Sequence, residues 1–241
     1  MPDDRIVQPG DRLPSLTLQA RQDERWAPVR TDDLLRGRTV VLFGLPGAFT
    51  PTCSSAHVPR YEELYDDLRR AGVDEVYCTA VNDAFGMDAW RRDQGVERVQ
   101  FLPDGNGELA RALGLLVDRS DVGFGPRSRR YSLLVRDGVV DQVFVEPDKP
   151  GDPYEVSDAD TMLAHLGGEC APDVLLFTRP GCSHCARAKR ALSEAGLHWI
   201  ELPATPGTLR ALPGPETTPQ VYVDGALLGG ADELVAWLAA R

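Results

Sequence analysis

Cysteine stands at Cys53, Cys78, Cys170, Cys182 and Cys185 in this chain of 241 residues, and two of these positions have surroundings suited to thiolate chemistry. The thiolate, not the thiol, is the nucleophile, so a reactive cysteine needs donors that stabilise its anion. Unpaired N–H groups at a helix start supply them, and so does a nearby arginine. The first candidate stretch is Pro46-Gly47-Ala48-Phe49-Thr50-Pro51-Thr52-Cys53. Pro46 can shield the sulfur from water. The Thr50 hydroxyl, one helical step ahead of Cys53, can hydrogen-bond the sulfur or the oxygen of an incoming substrate. The second is Arg179-Pro180-Gly181-Cys182-Ser183-His184-Cys185. A Cys-x-x-Cys opening a helix in an α/β pattern points to thiol–disulfide exchange. Cys182, nearer the helix start, is the expected nucleophile, and Arg179 is placed to favour its thiolate. Arg187, Lys189 and Arg190 follow and read as a solvated basic face. The motif could form half a zinc site, but zinc takes four ligands and there is no second Cys-x-x-Cys. No metal is expected.

Each thiol must be held by an element pattern, and the same pattern occurs twice. Leu42-Phe43-Gly44-Leu45-Pro46-Gly47 leads to Cys53, and Leu176-Phe177-Thr178-Arg179-Pro180-Gly181 leads to Cys182. Both read as strand, Pro-Gly turn, cysteine, helix. In the first half, strands are expected at 39–44 and 72–81, helices at 58–71, 84–94 and 108–113, a hairpin over 131–145 turning at Asp137-Gly138, and a closing helix at 157–167. After a Gly/Pro-containing linker at 167–172 the pattern restarts. A strand at 174–177, a helix at 182–195, a strand at 199–202, a hairpin over 221–228 turning at Asp224-Gly225 and a helix at 231–240 complete it. The fold class is therefore α/β, with domains at 1–168 and 169–241. Phe49, Phe85 and Phe124 flank the first thiol site, and most of these rings are expected in the core.

Bulk properties exclude other classes. The formal net charge is −11, which disfavours nucleic acid and anionic membranes, because phosphate binding needs clustered Lys and Arg. It does not prevent a local basic pocket from holding a small anion. No apolar run reaches membrane-spanning length. The first ten residues lack the basic and apolar regions of a secretory signal, so a cytoplasmic protein is expected. An odd cysteine count there fits catalytic or buried thiols better than a disulfide framework. Cys78, within a strand pattern, reads as a buried apolar residue. Cys170 lies in the linker, either as a bystander or in a resolving or intersubunit role.

The first stretch resembles the peroxiredoxin pattern Pro-x-x-x-Thr-x-x-Cys. With its flanks, and with Ala80-Val81-Asn82-Asp83-Ala84-Phe85 and Arg129-Arg130-Tyr131-Ser132, it is similar to the type-five branch over about residues 5–165. The resemblance implies that Cys53 is the peroxidatic cysteine, that Pro46 and Thr50 complete its pocket, and that Arg130 is the catalytic arginine, with Arg129 as the alternative. Cys53 would attack a hydroperoxide and become a sulfenic acid. Some type-five members carry a separate resolving cysteine late in this domain. None stands between Arg130 and the linker, so another thiol must reduce Cys53.

Residues from about 172 onward resemble a glutaredoxin, through Cys-x-x-Cys, Thr217-Thr218-Pro219-Gln220-Val221 and Gly229-Gly230-Ala231-Asp232. This resemblance implies a cis-proline at Pro219 opposite Cys182, and glutathione held by Thr218, Pro219, Arg179, Gly230, Ala231 and Asp232. Asp232 also suits the N-cap of the last helix. Ser183-His184 replaces the common Pro-Tyr pair, and some glutaredoxins lacking that proline hold a glutathione-supported iron–sulfur cluster. The whole resembles the hybrid peroxiredoxin–glutaredoxin proteins, two thioredoxin-like domains in tandem. That implies a glutathione-dependent peroxidase of hydrogen peroxide and organic hydroperoxides. Cys182, with Cys185, would return electrons from glutathione as cosubstrate, without a bound cofactor. A homo-oligomer, dimer or tetramer, is expected. The rival reading is a redox sensor or holdase whose assembly changes when Cys53 is oxidised.

Overall fold

Thr39–Leu45 runs through the centre of the first sheet, and its sequence accounts for that place. Val41, Phe43 and Leu45 point to one face, and Val40 and Leu42 to the other; all are buried. A strand apolar on both sides is stable only when both faces are covered. In the computed structural model, which describes residues 5–22, 25–168 and 172–240, this strand has parallel Glu75–Ala80 on one side, followed by parallel Gln100–Pro103. On the other side lies antiparallel Tyr131–Arg136, hairpinned to Val139–Val145. Asp137 and Gly138 make the turn with φ of 48° and 76°, the left-handed pair that a two-residue hairpin requires.

One face of this sheet is covered by helical segments at Cys53–His57, Val58–Glu63 and Tyr65–Arg70, together with Ala159–His165. The helical run thus starts before the expected 58–71 and breaks at Leu64, whose ψ is 8°. Phe43 stacks on Tyr61 at 4.1 Å. Leu64, Leu68, Met162 and Leu163 extend the packing. Under the opposite face Leu109, Leu113 and Leu115 pack on Val40, Leu133 and Val135. Several elements carry too weak a periodicity to be expected: the hairpin Thr17–Gln22/Arg25–Arg30, the helix Thr31–Leu35, the edge strand Gln100–Pro103 and the small hairpin Leu116–Asp118/Pro126–Ser128.

The chain divides into two compact units, Met1–Cys170 and Ala171–Arg241. In the second, the strand order is Ile200–Pro203, Val174–Thr178, Gln220–Val223, Ala226–Gly229, with only the first pair parallel. Helices Ser183–Glu194 and Ala231–Ala239 cover one face through Ala188, Leu192 and Leu234. Phe177, Leu209 and Tyr222 pack on the other, where Pro206–Ala211 forms a helix that was not expected. Its start is fixed by a reciprocal Thr205–Thr208 capping box. Both units are α/β and thioredoxin-like. Cys170 and part of the expected linker lie outside the described residues. Among the described residues no helix is long and apolar enough to cross a membrane.

Gly44 explains how the central strand and its neighbour come so close beside the first thiol. A Cβ there would lie 2.1 Å from Tyr131 Cε1, inside a packed interior that resists added volume. Gly44→Ala should therefore lower unfolding stability by about 2 kcal/mol, measured by chemical denaturation. An unchanged midpoint would show that Tyr131 moves aside freely.

Candidate active sites

The first site grows from the end of the central strand. Pro46 follows Leu45 directly, and the chain turns through Gly47–Thr50 into the helix that carries Cys53. Asn82 holds this loop by accepting from Ala48 N at 3.0 Å. Phe49 takes a φ of 61°, a left-handed conformation costly for an aromatic residue and commonest near functional sites. Its ring is 57% exposed, and those of Phe85 and Phe124 are 56% and 42% exposed. The expectation that most of these rings are core is therefore wrong. Phe49 is turned outward by its backbone, Phe85 stands in the first turn of a helix capped by Asp83, and Phe124 lies between the two short strands.

Cys53 opens a π-helical turn, Cys53–His57, and its side chain is fully buried. Arg130 Nη1 lies 3.4 Å from its sulfur and 3.1 Å from His57 Nδ1, while Nη2 donates to Asp152 at 2.5 Å. Of the two adjacent arginines, Arg130 meets the sulfur. Arg129 turns away to donate to Glu146 O at 2.9 Å. Burial works against the Arg130 charge, but the Cys53 thiolate and the Asp152 carboxylate outweigh it and raise the arginine's pKa. Its Nε is buried without an acceptor among the described residues. An unused buried donor is costly, and here it belongs to the guanidinium that meets the Cys53 sulfur.

His57 was not anticipated from sequence. The signal was present: it stands four residues after Cys53 on the same helical run, hence on the same face. Because a guanidinium only donates, His57 Nδ1 must accept from Arg130, which leaves Nε2–H to donate to Ser157 O at 3.1 Å. Complete burial, then the Arg130 charge, push the His57 pKa down to about 3 despite that carbonyl. The ring is neutral and orients the guanidinium. Ser157 is held in turn by Glu146, whose buried carboxylate accepts from the N–H groups of Glu155, Val156 and Ser157 and from the Ser157 hydroxyl. The same loop carries Asp152 and also Tyr154, whose ring lies 5.6 Å from the Arg130 guanidinium carbon.

Thr50 differs from expectation. Its hydroxyl donates to Gly47 O at 2.8 Å rather than to the sulfur, so it presents only acceptor lone pairs to a substrate. Cys78 is buried, and burial followed by the charge of Cys53 pushes its thiol up. It has no thiolate to offer in this arrangement.

In the second unit Cys182 is the N-cap of Ser183–Glu194, its sulfur accepting from Cys185 N at 3.2 Å. Thr218 Oγ1 lies 3.6 Å from the same sulfur, and the Thr218–Pro219 peptide is cis. The Cys185 thiol, then the Cys185 N–H and the Thr218 hydroxyl, hold Cys182 below the ordinary thiol pKa against a smaller effect of burial. Burial, then the neighbouring Cys182, push Cys185 up. The Arg179 backbone carbonyl accepts from Cys182 N at 3.3 Å, and its exposed side chain lines an open cleft of about 700 Å³ with Cys182 and Lys189.

Gly230 packs close to Pro219 O, where an added Cβ would sit at 3.7 Å. The structure thus brings Cys182, Thr218, Pro219 and Gly230 together, with Ala231 buried behind them. Asp232 is not the helix N-cap. Gly230 holds that position, and Glu233 Oε2 accepts its N–H at 2.8 Å. Asp232 is exposed and ion-paired with Arg187, as Lys189 is with Glu201. The basic face is therefore partly neutralised by partners of its own.

Comparison with known proteins follows the same division. The Redoxin family profile matches residues 8–163 and the Glutaredoxin profile residues 174–228. A hybrid peroxiredoxin of Haemophilus influenzae is 46% identical over 236 residues, 95% of this chain and 98% of that protein. A peroxiredoxin of Synechocystis is 49% identical over 177 residues, covering 68% of this chain and 94% of its own length. Among solved structures, reduced Prx3 of Vibrio vulnificus in complex with hydrogen peroxide superposes with a TM-score of 0.63 at 42% identity. It covers 67% of this chain and 99% of its own.

Two consequences are measurable. His57 has an ordinary pKa of 6.5 when unfolded and about 3 when folded. Between those values the unfolded chain takes up a proton that the native one refuses, so stability falls as pH drops below 6.5. Going from pH 7 to pH 5 should cost about 2 kcal/mol through this group alone. His57→Gln should remove that share of the pH dependence, and an identical slope in both proteins would contradict a neutral buried ring. At the second site, the rate of Cys182 alkylation by iodoacetamide should rise with pH through a midpoint below 9.0, the ordinary value. Cys185→Ala should move the midpoint upward, since the largest stabilising donor is gone. A midpoint unmoved by the substitution would remove Cys185 from that role.

Proposed function

The chain belongs to the hybrid peroxiredoxins, a Redoxin domain followed by a Glutaredoxin domain; it is a thiol peroxidase with glutaredoxin-linked reduction, and we propose that Cys53 and Cys182 carry its two half-reactions. The observation that carries this reading is the Arg130 guanidinium, 3.4 Å from the Cys53 sulfur and fixed from behind by His57 and Asp152. It faces the place where negative charge moves during the reaction.

In the first half-reaction the Cys53 thiolate attacks one oxygen of a hydroperoxide. The S–O bond forms as the O–O bond breaks, and the leaving oxygen departs as water or an alcohol after taking a proton. Arg130 is fixed in advance, so it stabilises the developing charge without reorganising. Thr50, with its proton committed to Gly47, can accept the peroxide O–H. Pro46 closes one side of the pocket. Cys53 is left as a sulfenic acid.

In the second half-reaction glutathione condenses with the sulfenic acid, releasing water and leaving a mixed disulfide. Cys182, the thiol with the lowered pKa, attacks the glutathione sulfur and frees Cys53. A second glutathione then regenerates Cys182 and leaves as glutathione disulfide. Thr218, Pro219 and Gly230 line the place where that tripeptide sits, Ala231 backs it, and Asp232 at the rim, released from Arg187, receives its ammonium group. Arg179 offers a guanidinium to a carboxylate. Covalent linkage of the two domains raises the effective concentration of the reductase to about the millimolar range. The exposed rings of Trp26, Phe49 and Phe85 favour association of copies into a homo-oligomer. A cytoplasmic setting, rich in reduced glutathione, fits the cycle.

The test separates the two thiols of the second site. With glutathione, glutathione reductase and NADPH as the only source of electrons, Cys182→Ser should lose steady-state peroxide turnover by a factor of about 10² or more while retaining one stoichiometric oxidation of Cys53. Cys185→Ser should keep substantial turnover, because a monothiol exchange needs one attacking sulfur. Equal loss in both variants would establish a dithiol route. Full turnover in both would remove the second domain from the cycle.

A further inference from the structure

A cleft of about 340 Å³ in the first domain has Pro46 and Arg130 in its wall. Ligand pockets begin at about this size. Because Arg130 touches the sulfur at 3.4 Å, anything seated in the cleft lies one side chain away from the reacting atom. Its lining is charged in both senses, and half of those charges are already satisfied, Lys149 by Glu155 among them. Asp152 is spent on Arg130, and the Glu146 carboxylate is turned onto the loop N–H groups behind it.

Four charged side chains remain to face an occupant. Arg119 has no side-chain hydrogen bond or ion pair among the described residues. Arg129 uses one N–H, on Glu146 O. Asp148 is exposed, and among the described residues Asp118 bonds only Ser120, two residues on. The cleft thus offers two guanidinium groups and two carboxylates together. A lipid hydroperoxide would waste both carboxylates. A small zwitterionic peptide that carries carboxylates and an ammonium would satisfy both signs.

We propose that this cleft on the first domain is a docking site for glutathione, which it presents to oxidised Cys53. Arg119 and Arg129 would receive its carboxylates, and Asp148 or Asp118 its ammonium. This rests on the reading of glutathione as the electron donor and adds where it binds before the second domain acts. The step is balanced: the glutathione sulfur bonds to the Cys53 sulfur, the S–O bond breaks, and the hydroxyl leaves as water with the glutathione thiol proton. Net charge gives the site a purpose. The chain carries −11 and repels an anionic tripeptide at long range, so local cations are needed to hold it where it reacts.

The experiment uses the full chain carrying Cys182→Ser, so that glutathione stays where it first bonds. The protein is oxidised with one equivalent of hydrogen peroxide and mixed with glutathione or with 2-mercaptoethanol. Formation of the Cys53 mixed disulfide is followed by quenching and mass spectrometry. Arg119→Glu should slow the reaction with glutathione about five- to tenfold, the effect of turning one attraction into a repulsion. It should leave the 2-mercaptoethanol rate and the hydrogen peroxide oxidation rate within about twofold. An unchanged glutathione rate overturns the proposal. So does an equal fall with both thiols, which would make Arg119 structural, or a selective fall in oxidation by a carboxylate-bearing hydroperoxide, which would assign the cleft to the oxidant. These failures are distinct from failure of the functional reading, which shows as absent glutathione-driven turnover in the unsubstituted chain.

Discussion

One buried charge organises the first domain. Arg130 is 3% exposed, and a guanidinium cannot escape the cost of burial by giving up its proton. It must be matched on the spot. The Cys53 thiolate supplies one partner, Asp152 another and the His57 ring a third. The match works in both directions: the arginine needs an anion there, and the sulfur needs a cation there. The neutral His57 ring adds an acceptor to that match without adding a charge.

Keeping such a charge in place calls for rigid supports at several distances in sequence. Arg130 precedes Tyr131, the first residue of a buried strand, and Cys53 opens a helix laid across the same sheet. Gly44, paired with Tyr131 across the sheet, is a glycine because the Tyr131 ring leaves no room for a side chain. The third support is a loop without regular structure, and such a loop would be free to move. Glu146 removes that freedom by accepting several of its N–H groups at once. Asp152 and Ser157 are thereby held where Arg130 and His57 need them. A buried carboxylate that touches neither sulfur nor substrate thus supports the geometry of both.

What the sequence showed, and what it did not, follows from the range of each signal. The strands 39–45 and 174–178 were legible because fully buried strands are continuously apolar. The two Asp-Gly hairpins were legible because that pair accepts left-handed torsions. The sulfurs, Arg130, Thr218 and Pro219 were legible through local motifs. His57 and Glu146 were not, because their roles depend on partners about a hundred and about ten residues away, and neither lies in a repeat or a turn. Of the two partners expected for the Thr50 hydroxyl, the sulfur is not met, since whether a hydroxyl donates to sulfur or to Gly47 O is decided by loop torsions. Phe49 was one of three rings expected mostly in the core, and a positive φ turned it outward. Asp232 was read as suiting the cap two positions too late, a shift that only the backbone of Gly230 reveals.

The two thiols sit in different surroundings, and under the proposed cycle the difference suits their tasks. Cys53 is fully buried and faces a formal charge. A formal charge held in so dry a setting acts strongly on its neighbours. Cys182 is partly exposed at a helix start, stabilised by a neighbouring thiol, an N–H and a hydroxyl, each weaker than a charge. An accessible, moderately stabilised thiolate is suited to exchange with disulfides, where the attacking sulfur must later leave, and too stable an anion attacks slowly. A thiol as buried as Cys53 would be a poor exchange catalyst, and one as open as Cys182 would lack the fixed charge that breaks an O–O bond. Two sites with opposite surroundings on one chain allow both steps without compromise in either.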